Sequence, residues 1–520
     1  MDRRYRIRPQ GEMESFIEIV SNNLYFAVLK GLFLGMSVNR HLKGDGEMFY
    51  FTIDDELLYH NYYLDFGPLN ISCVYKYCMK VNKYLQYARG MKAVVHYTIS
   101  HPEKKANAIF LMGCYCVLYL KMSPKDALRL FQETEPIKPF LDASQFPCQF
   151  AIKMIDCFQA IAKAQAFNFF NFEDFNASEY DLYNKLEFGD LNWLLPRKFL
   201  AFIGPADNRT AHPPEFYIKY FLKNDVKTVI RLNNVLYDAY TFMQVGIQHY
   251  DLIFPDGTTP PKDILLKFLY IAETAPAAIA VHCKAGLGRT GSLIGAYLIK
   301  HYRLTAREAI AWLRICRPGS VIGQQQLWLE KIQSWLWRIG SQYRLQNYGE
   351  GDKIPRHKYG IYSKTWPMER EKAIRENRQK IQTKFTSVQL ENCMQAQKKL
   401  KISSIERLLG TEAKLYPSSG DSFKNISKLL CSMHGLSRTQ DPTHSHTKVR
   451  PQSRSEKCIN CVNVELSPRR VVKKSSKEEQ VKKPVKTAAV KLPSQGDKLN
   501  QIKAMRFNRT KKVGGRGKQI

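Results

Sequence analysis

The chain has 520 residues, with 79 Lys and Arg against 47 Asp and Glu, a formal charge of +32 and 44% hydrophobic residues. Residues 351–520 hold 39 basic and 14 acidic residues, a net of +25, which leaves only +7 for residues 1–350. A chain of this length makes two to four domains, or a domain pair with a tail: the front part is apolar enough to bury a large core, while the polar, aromatic-poor last third is expected to stay mostly disordered because it buries too little surface to offset ordering entropy.

No uniform apolar run follows the opening "MDRRYRIRPQ", and the twelve cysteines form no repeating framework, which points to reduced thiols in a cytosolic or nuclear setting. In chain order, "MKAVVHYT" (91–98) predicts a buried strand. "AIFLMGCYCVLYL" (108–120) is 13 residues, short of the ~20 needed to span a bilayer, and predicts a buried helix. The acidic, aromatic stretch 167–199 reads as the joint between two domains. Beyond it, "KTVIRLN" (227–233) and "AAIAVHC" (277–283) predict strands, and the patterns at 262–274, 290–302 and 305–315 predict helices. Alternating strand and helix gives an α/β fold.

An internal repeat supports duplication. "GCYCVLYLKMSPKDAL" (113–128) aligns with "GAYLIKHYRLTAREAI" (295–310) at an offset of 182, with Gly113/Gly295, Tyr115/Tyr297 and Ala127/Ala309 identical. Ser123 and Thr305 are predicted to cap the next helix in each copy, followed by Asp126 and Glu308. The same offset sets His101 against Cys283 and Asn107 against Arg289, so the first copy lacks what the second carries.

The second copy carries "VHCKAGLGRTG" (281–291). A cysteine ending a strand, three glycines and a helix opening at once make a tight loop whose backbone N–H groups converge at the positive end of a helix dipole, a cradle for a phosphate. That field favours thiolate at Cys283, and Arg289 can grip two phosphate oxygens with its planar fork. Ser292 is predicted to donate to the sulfur when it leaves, and His282 to order the loop rather than to act as base. Phosphoryl transfer to sulfur followed by hydrolysis is implied. Asp256, on the loop "FPDGTTP" (254–260), is the predicted proton donor to the leaving alkoxide. For Gln325 and Gln326 in "VIGQQQ" (321–326), positioning of the second-step water stands beside a solvated helix start.

"HCKAGLGRTGS" resembles the Cys-x5-Arg signature of protein tyrosine and dual-specificity phosphatases. Together with "DFGPLN" (65–70), "GDLNW" (189–193), "FPDGTTP" and "RICRPGSVIG" (314–323), it resembles the Cdc14 phosphatases over residues 15–340. The resemblance implies two tandem dual-specificity-phosphatase-like domains, each a mixed sheet flanked by helices, followed by a disordered basic tail. The boundaries expected are an extension at 1–14, a non-catalytic domain at 15–165, an acidic linker at 166–188, a catalytic domain at 189–344 and the tail at 345–520. It implies Cys283 as nucleophile, Arg289 as clamp with Lys284, Ala285, Gly286, Leu287 and Gly288 around the phosphate, and Asp256 as general acid, with no cofactor and no metal. The implied substrates are phosphoserines followed by proline with a basic residue shortly after, as left by cyclin-dependent kinases. The implied setting is mitotic exit, cytokinesis and centrosome or cilium biology, in nucleus and cytoplasm and at the centrosome or spindle. A linker groove reading the basic residue maps to Asp181, Asn184 and Asp190; Asn184 stands where the family pattern has an acid, with Glu179 and Glu187 as nearby substitutes.

Two rival functions remain open. Lipid phosphatases also begin their loop with His-Cys-Lys-Ala-Gly, but carry a second lysine where this chain has Leu287, which favours a phosphoprotein over a phosphoinositide. A scaffold is the other rival, led by the basic run 467–486, which reads as a nuclear-import signal, a microtubule or nucleic-acid contact, or a solvated stretch. Ser467 before Pro468 forms a proline-directed kinase site, 423–436 reads as an export segment or partner helix, and Cys431, His434, His444, His446, Cys458 and Cys461 are too irregularly spaced for a zinc site.

Overall fold

The computed structural model describes residues 15–21, 23–29, 48–88, 93–146, 150–206, 212–382, 391–392, 394–395 and 493–515. The first half begins with strands β1 (Ser15–Ser21), β2 (Leu24–Leu29) and β3 (Met48–Phe51), then helix α1 (Ile71–Tyr87), strand β4 (Ala93–Ile99), and helices α2 (Pro102–Leu118), α3 (Pro124–Arg129) and α4 (Met154–Ala166). After α5 (Ala177–Tyr183) the second half runs β5 (Leu191–Leu195), β6 (Phe199–Phe202), α6 (Glu215–Lys223), β7 (Val226–Arg231), α7 (Tyr240–Met243), β8 (Gln248–Asp251), α8 (Lys262–Thr274), β9 (Ala278–His282), α9 (Gly288–Tyr302), α10 (Ala306–Cys316) and α11 (Gln324–Tyr348). A further helix, α12 (Gln495–Gly515), lies near the C-terminus.

Both halves are mixed α/β layers of one plan. The first sheet has the order β1-β2-β4-β3 and the second β5-β6-β9-β7-β8. In each, an antiparallel hairpin leads into parallel pairing with the strand that precedes the buried helix. The predicted caps form: Ser123 accepts from Asp126 N, and Thr305 accepts from Glu308 N in a reciprocal capping box. The apolar run of the first copy is α2, buried from Ala106 to Leu118; among the described residues no helix is long and apolar enough to cross a membrane. Its counterpart α9 is buried along its whole length, lying against β6 and β9 and beside α8, α10 and α11.

Sheet pairing corrects the register between the copies. His96 pairs with Phe26 as His282 pairs with Phe202, and each imidazole meets a tyrosine hydroxyl, Tyr77 or Tyr237, at 2.8 Å. The strands, and with them the starts of α2 and α9, therefore correspond at an offset of 186 and the caps Ser123 and Thr305 at 182, because the first copy has four more residues between the start of α2 and that cap. The position matching Cys283 is Tyr97, not His101. Beside it the Asp54 carboxyl accepts from Thr98 Oγ1 at 2.8 Å and from Ile99 N at 3.0 Å, so an acidic side chain of the first half occupies the donors that follow Tyr97. Asn107, read as the match of Arg289, is a buried residue of α2 donating to Phe66 O at 2.7 Å.

The halves share one core. One cluster of buried apolar side chains runs from Val20 to Tyr362; α4 packs on both α2 and α10, and Lys163 Nζ meets Glu308 Oε2 at 2.7 Å. The segment read as a linker is built into this core: Phe169, Phe170, Phe172 and Phe175 are buried. It pairs with chain beyond 344, through His357 N to Phe167 O (3.0 Å) and Ile361 N to Phe169 O (2.8 Å). Tyr362 Oη accepts from Trp193 N at 3.0 Å. Ordered structure therefore extends past the expected tail boundary, because Ile361 and Tyr362 fill the core, and it resumes in α12. The tail features at 423–436, Ser467 and 467–486, and the Cys/His set from Cys431 to Cys461, lie outside the described residues. Residues 15–377 and 493–515 fall in one compact unit, and 378–382, 391–392 and 394–395 in a second.

Candidate active site

Strand β9 is buried at all five positions and delivers Cys283 to the start of the loop. Gly286 adopts φ 68°, and a Cβ there would stand 2.0 Å from Phe202 O, so only glycine lets the loop lie so close to β6. The loop is held from behind by Arg317, whose Nε donates to Gly286 O (2.8 Å) and Nη2 to Ala285 O (3.2 Å). With its carbonyls drawn to that guanidinium, the loop keeps its N–H groups for the concave side, over the N-terminus of α9. Gly286→Ala is expected to destabilise the fold by about 1–3 kcal/mol, read as a lowered Tm with activity lost in parallel; an unchanged Tm would contradict this account of the loop.

Cys283 and Arg289 are each 3% exposed. Burial opposes ionisation of the thiol, but the Arg289 charge and hydrogen bonds from the Thr290 side chain and backbone outweigh it, so Cys283 is held below the ordinary thiol value. Burial pushes the other six described cysteines the opposite way. Iodoacetamide is therefore expected to alkylate Cys283 first, with a half-maximal rate at a pH below the ordinary value of 9.0. Arg289→Gln removes the favourable charge and leaves burial unopposed, so that midpoint should move up; a midpoint unmoved by the substitution would count against Arg289 as the source of the shift.

Arg289 Nη1 donates to Leu232 O (3.2 Å) and Phe254 O (3.0 Å), and Nη2 faces Asp256 Oδ1 at 3.1 Å. Its Nε is buried without a partner, a donor left for an anion in the loop. Two hydroxyls follow. Ser292 Oγ donates to Gly288 O at 2.8 Å within α9 rather than to sulfur, whereas Thr290 Oγ1 is buried with no other hydrogen-bond partner and acts on the Cys283 thiol. Thr290 thus holds the position expected of Ser292, because the first turn of α9 aims residue 290 at the sulfur and residue 292 along the helix. His282 is fully buried, bonded to Cys283 O (3.1 Å) and Tyr237 Oη (2.8 Å), and burial lowers it to about 3. It is a neutral ring ordering the loop.

Gln325 and Gln326 are wholly buried, so the solvated-start reading fails for both. Gln325 Nε2 donates to Thr258 O at 3.1 Å, on the Asp256 loop, and its Oε1 is 2.8 Å from where a Cβ on Gly288 would be. Gln325 Oε1 accepts from Ile322 N at 3.1 Å, so this side chain bonds to the Asp256 loop and packs beside Gly288 at the start of α9. Gln326 Oε1 instead accepts from Arg314 Nη2 at 2.5 Å.

The expected groove residues divide. Asp190 is buried and bound by Arg317 at 2.9 Å. Asn184 Oδ1 accepts from Asn192 Nδ2 at 3.1 Å, and Asn192 Oδ1 accepts from Arg317 at 2.6 Å, so Asn184 and Asp190 both join the phosphate loop through one arginine. Asp181 pairs with Lys76 at 2.7 Å. Glu179 accepts from Tyr220 Oη at 3.1 Å, which takes it out of the groove; Glu187 is exposed. Arg317 lies in "RICRPGSVIG", where the sequence alone gives it no role. Its partners are 31 and 127 residues away, and no local pattern announces them.

A thiol held toward its anion, an arginine with a free buried donor and an aspartate across from it, on a strand-loop-helix unit of a mixed sheet, define a cysteine-dependent dual-specificity phosphatase. The family model described as "Dual specificity protein phosphatase, N-terminal half" matches residues 18–164, and "Polymorphic toxin system, DSP-PTPase phosphatase" matches residues 205–303. The chain is 49% identical over 338 residues to dual specificity protein phosphatase CDC14B of Mus musculus, covering 63% of this chain and 69% of the relative. It is 50% identical over 317 residues to CDC14C of Homo sapiens (59% and 71%) and 48% over 343 residues to CDC14A of Homo sapiens (64% and 56%). The chain belongs to the Cdc14 family of dual-specificity protein phosphatases.

Proposed function

We propose that the chain hydrolyses phosphoserine and phosphothreonine monoesters, and phosphotyrosine, with a preference for sites followed by proline. The observation that carries the preference is an apolar lip beside the phosphate loop: Leu287, Ala285, Ile322 and Ala143 cluster there with Tyr62 and Tyr63 packed against them. Ala143, Tyr62 and Tyr63 come from the first half, which gives the non-catalytic copy a part in substrate choice. Such a surface suits a proline ring after the phosphoserine. An inositol polyphosphate would instead ask for a cation at Leu287.

In the reaction, the phosphate enters the cradle with its oxygens on the loop N–H groups and Arg289. The Cys283 thiolate forms a bond to phosphorus as the P–O bond to the substrate breaks, and Asp256 gives its proton to the departing oxygen. Water then attacks the phosphocysteine, Asp256 takes back a proton, and the sulfur leaves as an anion steadied by Thr290. Gln325, between the two loops, orients that water. Cyclin-dependent-kinase sites are the proposed natural substrates, with roles in division in nucleus, cytoplasm and centrosome.

Phosphate release from phosphoserine-proline peptides, with and without lysine at the third following position, and from a matched phosphoserine-alanine peptide tests this beside a phosphoinositide panel. The proline peptides are expected to turn over fastest and the lipids not at all. Asn184→Glu adds a carboxylate to the Asp190 side of the site and is expected to sharpen the lysine preference about threefold. Faster turnover of the lipids, or indifference to proline, would defeat the reading.

A further inference from the structure

The C-terminal segment returns to the catalytic face. Ser494 N donates to Asp497 Oδ2 (3.0 Å) and Asp497 N to Ser494 Oγ (3.3 Å), which caps α12 and fixes its first turn. Gly496 N then donates to Asp256 Oδ2 at 2.8 Å. A Cβ on Gly496 would stand 2.7 Å from Lys284 Cβ and 2.9 Å from Asp256 Oδ2, so its lack of a side chain permits the approach. Asp497 pairs with Lys284 of the phosphate loop, and Asn500 Nδ2 donates to Lys284 O at 3.3 Å.

The next turns follow the cleft. Leu499 is 2% exposed among Ala143, Ala285, Leu287 and Ile322. Lys503 is buried, paired with Asp190 and donating to Ala285 O at 2.8 Å. Arg506 lies over the Tyr62 ring at 4.2 Å. Positions 496, 499, 503 and 506 recur at helical spacing, so one face of α12 meets the proton donor, the apolar lip and the acid of the groove together.

We propose that residues 493–506 are an intramolecular occupant of the substrate cleft that holds the phosphatase closed to phosphoproteins. The inference rests on the reading of this cleft as the phosphopeptide site. Leu499 takes the place of the substrate's proline ring, Lys503 that of its basic residue, and Gly496 engages the Asp256 carboxylate needed for the leaving group. The side chains that touch the loop and lip, Asp497, Leu499, Asn500 and Lys503, carry no hydroxyl, so the segment is not turned over. Substrate gains entry in proportion to the fraction of molecules with α12 undocked.

The test compares full-length wild type with the double variant Leu499→Asp/Lys503→Glu on a phosphoserine-proline-x-lysine peptide, with Met505→Lys, at a position 60% exposed, as control. The double variant is expected to show about tenfold higher kcat/KM, mostly through KM, and the control none. A synthetic peptide of residues 491–506 should inhibit the double variant competitively. Equal kcat/KM in wild type and double variant, with no inhibition by the peptide, would overturn the proposal and leave the phosphatase reading intact. Absence of turnover in every protein would overturn the cleft reading, and the proposal with it.

Discussion

Cys283→Ser is expected to lower phosphate release from phosphoserine-proline peptides by on the order of 10⁴-fold or more, while the protein still captures the phosphopeptide. The environment that favours a thiolate, the Arg289 charge and the Thr290 hydrogen bonds, acts on a buried atom. A serine hydroxyl is far too weak an acid for the same forces to ionise it, so no nucleophile forms. The loop N–H groups and Arg289 are untouched, and the partnerless Nε of Arg289 still awaits an anion. Binding and chemistry should therefore separate: single-turnover phosphate release falls to background, and retention of a labelled phosphopeptide persists. Release within tenfold of wild type would remove Cys283 from the reaction.

Asp256→Asn is the second large effect. The amide keeps the shape of the side chain facing Arg289 at 3.1 Å but has no acidic proton to give. A serine alkoxide leaves poorly without one, so turnover of phosphoserine peptides is expected to fall about 10²–10⁴-fold. A nitrophenolate leaves well unaided, so loss on p-nitrophenyl phosphate should be much smaller. That contrast, measured as the ratio of kcat values for the two substrates, separates proton donation from simple damage to the site. Equal losses on both would assign Asp256 a structural role.

The legible parts of the site share one property. Cys283, the glycines and Arg289 lie within nine residues, and the chemistry of a phosphate cradle constrains the order in which they occur. Asp256 was legible because a turn beside a strand end is also a local signal. Thr290 and Ser292 are two residues apart, and only the helical phase of α9 decides which faces the sulfur. Arg317 and Asp190 are 127 residues apart, and Lys503 lies 313 from Asp190; no spacing rule reaches so far. The duplication was readable from α2 and α9, but the match of Cys283 was displaced by four residues, since hydrogen-bonded pairing to Phe26 and Phe202, not helix similarity, sets strand register.

Neighbours in the chain are enough to show a duplicated α/β unit and, in its second copy, a Cys-x5-Arg loop between strand and helix, because those features are local. That the joining segment is core rather than linker, that one arginine ties the loop to Asp190 and, through Asn192, to Asn184, and that a helix from the basic tail lies against the Cys283 loop are all products of the folded chain. Burial and ion pairing are properties of surfaces brought together. A basic, polar helix has too little apolar surface to order itself, and it gains its place only where Leu499 finds an apolar lip and Lys503 finds a buried carboxylate.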